Sequence, residues 1–198
     1  MKWAFIPDRI DYDGSQLAAH FAFRRASLAG DSIISFIGAC DVSASCMVDV
    51  ADLADGCTIV SREMLHFIVE HFDRNLERAV LRQRTLVSLL QQEVNVRLRE
   101  YGDDRYVIRD GDDLFLGGSK LTVSVATASH VSCLIHLGVN IDPEGAPVEA
   151  IGLQSLLPKE RPEQLASFLM EKYAAEMASV HNAMALVRGV SEFGGGKN

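Results

Sequence analysis

The sequence predicts an α+β domain in which a mostly antiparallel sheet is flanked by helices. Three observations predict it. No Gly or Pro interrupts the chain between Gly56 and Gly102, and apolar residues recur there at helical spacing. From Tyr106 onward the apolar period drops to two, punctuated by turn residues. After Pro162 a second long helical pattern runs from Leu165 to Val187. The chain has 198 residues, 48% hydrophobic and 23% charged. That is enough for one domain with a substantial core, and it excludes a disordered or disulfide-dense class. We expect a single domain over 1–190 and a disordered tail over 191–198.

Near the N-terminus, Gly14-Ser15 opens a short helix through Leu17 and Phe21. Gly30-Asp31 then precedes Ser32 to Ile37, which reads as a buried strand ending at Gly38. Residues 40–58 hold three cysteines with Asp41, Asp49, Asp52 and Asp55, and read as an irregular excursion. Ser61 suits an N-cap with Glu63 in the first turn, and Leu65, Ile68, Phe72 and Leu76 form an apolar stripe. Val80, Val87, Leu90, Val94 and Leu98 continue it. One helix over the whole stretch exceeds ordinary length, so a break is expected near Asp73-Asn75. Tyr106 to Arg109 and Leu114 to Leu116 read as strands joined by Asp110-Gly111-Asp112, and Gly117-Gly118 marks a second turn. Pro162 fits the first position of the last helix.

Residues 121–141 contain no Asp, Glu, Lys or Arg and are long enough to span a bilayer. Their apolar residues alternate, however, so two strands fit better than a membrane helix. Leu121, Val123 and Val125 are odd-numbered, as are Val131, Cys133, Ile135, Leu137, Val139 and Ile141, so the odd face packs on the core. A turn at Ala128-Ser129-His130 pairs Thr122 with His136 and Lys120 with Gly138, within about two residues. That register places Lys120, Thr122, Ser124, His136, Gly138 and Asn140 on one polar face. The face has one Lys and no Glu or Arg, which is thin for a solvated surface, and Gly138 in mid-strand suggests close approach of a ligand or backbone. A lone lysine among Thr, Ser, His and Asn suits an anionic or carbonyl-bearing small molecule.

Other clusters carry less. His66 and Glu70 share a helical face and read as a helix pair rather than a metal site, since neither HExxH nor HxxEH spacing is present. Gln16 and His20 sit at a pocket mouth or on a plain surface. Cys40 is a nucleophile candidate but reads first as a small buried hydrophobe. Arg82 and Arg84 read as solvated. Asp112-Asp113 is explained by turn chemistry, or by Mg²⁺ if a phosphate is bound. The four cysteines form no CxxC pair, and the N-terminal apolar stretch is too short for a signal peptide, so a cytoplasmic protein with reduced thiols is expected. A formal charge of −8 gives no field for nucleic acid or an anionic membrane. The expected partner is a small-molecule ligand. ATP with Mg²⁺ and a homodimer are left open.

Gly118-Ser119-Lys120-Leu121-Thr122-Val123-Ser124, then Leu134-Ile135-His136-Leu137-Gly138-Val139-Asn140, then Ile151-Gly152-Leu153 resemble the core of the biotin/lipoate protein ligase and lipoyl transferase superfamily. The match covers about residues 70–155. Across its whole length the chain more closely resembles a bacterial and archaeal family known as domain of unknown function 366. Its carrying segments are Asp13-Gly14-Ser15-Gln16, Gly30-Asp31-Ser32, Met47-Val48-Asp49, Met64 to Glu70 and Asp112 through Asn140. These resemblances imply the ligase-like α+β fold shared with class II synthetases. They imply Lys120 as the catalytic group, contacting an acyl carbonyl or acyl-adenylate phosphate, with Asn140 and Ser124 orienting it. A cation fixed beside a developing oxyanion would supply electrostatic stabilisation. The ligases' glycine-rich Arg-Gly-Gly-Gly segment has no counterpart here; the nearest strand leads into Gly38-Ala39-Cys40-Asp41. Two functions follow: a ligase- or acyltransferase-like enzyme, or a non-catalytic binding module that keeps the fold.

Overall fold

The computed structural model describes residues 1–189; the expected tail over 191–198 lies outside the described residues. The strands are β1 (Lys2–Phe5), β2 (Ser32–Val42), β3 (Ile59–His71), β4 (Ile108–Asp110), β5 (Asp113–Leu116), β6 (Ser119–Lys120), β7 (Thr122–Ala128) and β8 (Cys133–Asp142). The helices are α1 (Phe21–Ala26), α2 (Val50–Ala54), α3 (Leu76–Glu100), α4 (Leu153–Leu156) and α5 (Pro162–Ala185). A five-stranded sheet has the order β1-β2-β3-β8-β7, antiparallel except for the β1–β2 pair, and β4-β5-β6 form a second small sheet. Among the described residues, no helix is long and apolar enough to cross a membrane.

The main departure from expectation is β3. Residues 61–71 are not a helix but most of a 13-residue strand, paired with β2 on one side and β8 on the other. Met64 to His71 are all buried, because both faces of this central strand are covered. A doubly covered strand shows no alternation of apolar and polar residues, and its continuous apolar run mimics a buried helix. Ser61 donates its hydroxyl hydrogen bond to the Asp142 carbonyl across the sheet instead of capping a helix. The break at Asp73-Asn75 does occur: Asn75 accepts from the Arg78 amide and caps α3.

Smaller corrections lie nearby. Residues 14–20 are turns and the helix starts at Phe21, because Gly14 adopts φ +95° and Asp13 accepts from the Ser15 amide. β2 runs on past Gly38 to Val42, with a bulge between Gly38 and Cys40. The 40–58 excursion contains α2, whose N-cap Asp49 accepts from the Ala51 and Asp52 amides. The β4–β5 hairpin, the β7 and β8 strands and the Pro162 helix start lie close to their expected places.

The sheet separates two layers. Phe67 and Val69 of β3 and Ile135, Leu137 and Val139 of β8 pack beneath Leu86, Leu90 and Val94 of α3 and Leu165, Leu169 and Tyr173 of α5. Met64 and Ile68 face the other way, against Ile34 and Phe36 of β2 and the N-terminal segment with Ile10, Tyr12 and Phe21. This second face is only partly covered by chain.

Candidate functional site

Register decides which side chains meet. Thr122 lies opposite Val139, Val123 opposite Gly138 and Val125 opposite His136. Thr122 thus sits three residues from its expected partner His136, because the loop spans Ser129 to Ser132, where Ser129 donates to the Ser132 carbonyl. An odd shift exchanges the faces of β7. Val123 and Val125 share a face with His136, Gly138 and Asn140, whereas Thr122 and Ser124 turn toward α3 and the small sheet. There Thr122 Oγ1 accepts from the Leu114 amide, and Ser124 Oγ donates to the Asp112 carbonyl while accepting from Gln83 Nε2.

A cavity of about 530 Å³ opens on the partly covered face, between the 42–61 segment carrying α2 and the strands β3, β8 and β7. Lys120, Ser124, His136 and Asn140 line it; Thr122, Gly138, Gln16 and Cys40 do not. β7 is an edge strand, so Ser124, Asp112 and Asp113 reach the cavity around that edge. Lys120 enters from the end of β6. Its amide donates to the Glu149 carbonyl, and its own carbonyl accepts from the Ile151 amide and from Asn140 Nδ2 at 3.2 Å. With the main chain pinned, the ammonium lies 2.8 Å from Asp113 Oδ2. Burial raises the Asp113 carboxyl above the usual carboxylate range, and Lys120 opposes that rise.

The cavity floor is aromatic. Tyr12 stacks on His136 at 3.8 Å between ring centroids, and the rings lie within 10° of parallel. Gly38 makes this possible: a Cβ there would lie 1.9 Å from the Ile10 carbonyl oxygen, so only glycine lets the 10–12 segment run against β2. That segment is bonded from the Tyr12 amide to the Ala39 carbonyl and from the Asp41 amide to the Tyr12 carbonyl. Gly138 serves packing too. Its missing Cβ would meet Met64 Cε at 2.8 Å, so the close neighbours are side chains of β3 and β7 rather than a ligand.

His66 and His136 form a buried chain: His66 Nε2 lies 3.3 Å from the Gly38 carbonyl, and His66 Nδ1 lies 3.1 Å from His136 Nε2. A carbonyl only accepts, so His66 carries its proton on Nε2 and accepts at Nδ1. His136 must then donate from Nε2, which leaves its Nδ1 as a bare lone pair. Burial pushes His66 down to about 4 and His136 well below its ordinary value, so both rings are neutral at pH 7.

The remaining candidates hold structure. Gln16 accepts from the Asp13 amide and donates to the Asp11 carbonyl, tying its own loop. Cys40 is buried, and burial pushes its thiol up to about 12, far from nucleophilic range. Glu70 is not a helix partner of His66: it accepts from the His20 amide and the Ser132 hydroxyl. Arg82 is not free in solvent but pairs with Asp73 at 2.7 Å. Sequence reasoning missed Tyr12, Gln83 and the α2 rim. Asp49, Asp52 and Asp55, three residues apart, were the visible trace of that rim.

The profile of the family described as domain of unknown function (DUF366) matches residues 1–188. The chain belongs to this family. Its similarities run in the same direction. An uncharacterized protein of Methanocaldococcus jannaschii is 36% identical over 165 residues, covering 79% of this chain and 71% of the relative. A solved structure of a protein of unknown function from Pyrococcus horikoshi is 35% identical, with a TM-score of 0.86 over 95% of this chain and 98% of that one. The biotin protein ligase of Leishmania major, solved with biotinyl-5-AMP, reaches a TM-score of 0.56 at 13% identity, over 90% of this chain and 75% of that one. That of Aquifex aeolicus, solved as a point mutant in complex with biotin, reaches 0.53 at 13% identity, over 90% and 70%. At this identity the ligase likeness is one of fold. This DUF366 chain therefore has the biotin protein ligase-like α+β fold.

Proposed function

We propose that this DUF366 protein binds a small organic molecule in the 530 Å³ cavity, with Lys120 engaging a carbonyl, carboxylate or phosphate oxygen of the ligand. One observation carries this reading: Lys120 is the sole Lys or Arg among the described lining residues, and its ammonium sits on a main chain pinned from three directions. A ligand oxygen would join or displace Asp113 at the ammonium. In an acyl-transfer reaction the same contact would stabilise the oxyanion. Asp112 and Asp113 are already committed to Gln83 and Lys120, so no step of this reading runs through a metal.

The non-catalytic version is favoured by Cys40, which lies outside the lining with a thiol that burial pushes up to about 12. The four cysteines are all unpaired, which supports a reducing compartment, the cytoplasm. The test is a thermal-shift screen of wild type and Lys120→Ala against octanoate, lipoate, biotin, amino acids and ATP with Mg²⁺. A ligand at about 100 times its Kd adds roughly 2.7 kcal/mol and raises Tm by several degrees. A shift in wild type that is lost in Lys120→Ala is expected; equal shifts in both would remove Lys120 from the site.

A further inference from the structure

This inference rests on the reading of the cavity as a ligand site and concerns what that ligand must carry. Five carboxylates line the cavity, from Asp49, Asp52, Asp55, Asp112 and Asp113, against the single ammonium of Lys120. Three are committed: Asp49 caps α2, Asp112 accepts from Gln83 and lies 3.8 Å from the Arg84 guanidinium behind the lining, and Asp113 pairs with Lys120. Asp52 and Asp55 have no cation beside them among the described residues, and they stand on the α2 wall opposite the sheet. Lys120 is thus neutralised at the floor while the wall keeps its negative charge. A plain carboxylate entering here would meet net repulsion.

The hydrogen-bonding groups of the floor point to the same chemistry independently. Tyr12 is 4% exposed, His136 4% and Asn140 5%, and all three line the cavity. The sealed side-chain atoms without a partner among the described residues are Ser32 Oγ, Ser35 Oγ and Arg84 Nε. Among the described residues the Tyr12 hydroxyl, His136 Nδ1 and Asn140 Oδ1 have no hydrogen-bond partner, and all three residues line the cavity. His136 Nδ1 is a bare lone pair, fixed by the chain through His66 to the Gly38 carbonyl. Asn140 has spent an N–H on the Lys120 carbonyl and offers its oxygen. Two acceptors and one hydroxyl await a donor.

We infer that the ligand is amphoteric, carrying a protonated nitrogen (an ammonium or amidinium) as well as the oxygen that Lys120 engages. The wall of Asp52 and Asp55 selects its charge, and His136 Nδ1 and Asn140 Oδ1 receive its N–H groups. A simple fatty or sulfur-containing acid would satisfy Lys120 and leave these groups unanswered.

The experiment measures local charge selectivity with probes that need no tight binding. Amide relaxation in ¹⁵N-labelled full-length protein is recorded with 4-amino-TEMPO and, separately, with 4-carboxy-TEMPO, each normalised to its protein-wide mean. The amides of Thr58, Val123, Val125 and Val148 should be relaxed more by the cationic probe than by the anionic one. The Asp52→Asn/Asp55→Asn variant should narrow that ratio about two- to fivefold, the worth of exposed charge contacts. In parallel, 8-aminooctanoate should raise Tm more than octanoate. Equal relaxation by both probes, or preference for 4-carboxy-TEMPO, overturns the inference. Octanoate binding that depends on Lys120 would then leave the proposed function standing. Cationic preference with no Lys120-dependent shift from either acid would instead retain the charge assignment and remove Lys120.

Discussion

The two faces of the five-stranded sheet share the same strands and serve opposite ends. Under α3 and α5, Phe67, Leu137 and Val139 are sealed in a continuous apolar layer. On the other face, Met64 and Ile68 share β3 with His66, and β8 turns His136 and Asn140 toward a cavity. On the dry face Thr122 is bonded to the Leu114 amide, while Ser35 keeps a sealed hydroxyl without a partner among the described residues, and Ser124 bridges Asp112 and Gln83 at the sheet edge. On the cavity face Tyr12, His136 and Asn140 keep unspent valences. Polar groups inside a fold are ordinarily satisfied; the cavity-face groups differ from Ser35 in lining an open cavity, and the proposed function places the ligand there.

The comparison can be broken from the dry side first. Phe67→Ala should cost about 3–5 kcal/mol, since the site is closed between two long helices and collapses poorly; denaturant unfolding reads it directly. Gly38→Ala should come next, at about 3 kcal/mol, because its Cβ would strike the Ile10 backbone rather than a flexible side chain. Here the loss should be accompanied by disappearance of the Tyr12–His136 ring-current shifts.

Acid should act through the cavity face. His66 is held neutral by burial, with its pKa down to about 4 from an ordinary 6.5, and His136 is shifted the same way. The unfolded chain therefore binds more protons than the folded one between those values. Stability is fully present above pH 6.5 and falls as the pH drops toward 4, by an amount on the order of 3 kcal/mol for His66. Tm measured against pH should show that slope, and a His66→Phe/His136→Phe variant should flatten it. Gly138→Ala should have the smallest effect, about 1 kcal/mol, because the atom in its way is the mobile end of Met64. The loss should shrink further in a Met64→Ala background.

Legibility followed exposure. α3 and α5 each show one face to solvent, so their periods were readable, and Pro162 and the Asp73-Asn75 break marked their starts. β8, though buried along nearly its whole length, was readable because His136, Gly138 and Asn140 alternate with its odd apolar positions. β3 was not, because a strand covered on both sides erases the alternation that identifies strands. The register of β7 was not readable either: its small Thr and Ser residues fit either face, and only the bonds to Gln83 and Leu114 settle the matter. Lys120, Ser124, His136 and Asn140 were legible as polar residues near one hairpin. Tyr12 comes from a segment whose approach depends on Gly38, which no local pattern encodes, whereas the spacing of Asp49, Asp52 and Asp55 was a visible trace of the α2 rim without showing what it faces.

The most direct test of the central claim, that the open face is a ligand site, is a fragment screen read by amide shift perturbation on ¹⁵N-labelled protein. Perturbed amides should cluster around Thr58, Val123, Val125, Asn140 and Val148, and Lys120→Ala should weaken them. Perturbations gathered instead on α5 or the small β4–β5–β6 sheet, or none at all across a diverse library, would contradict it.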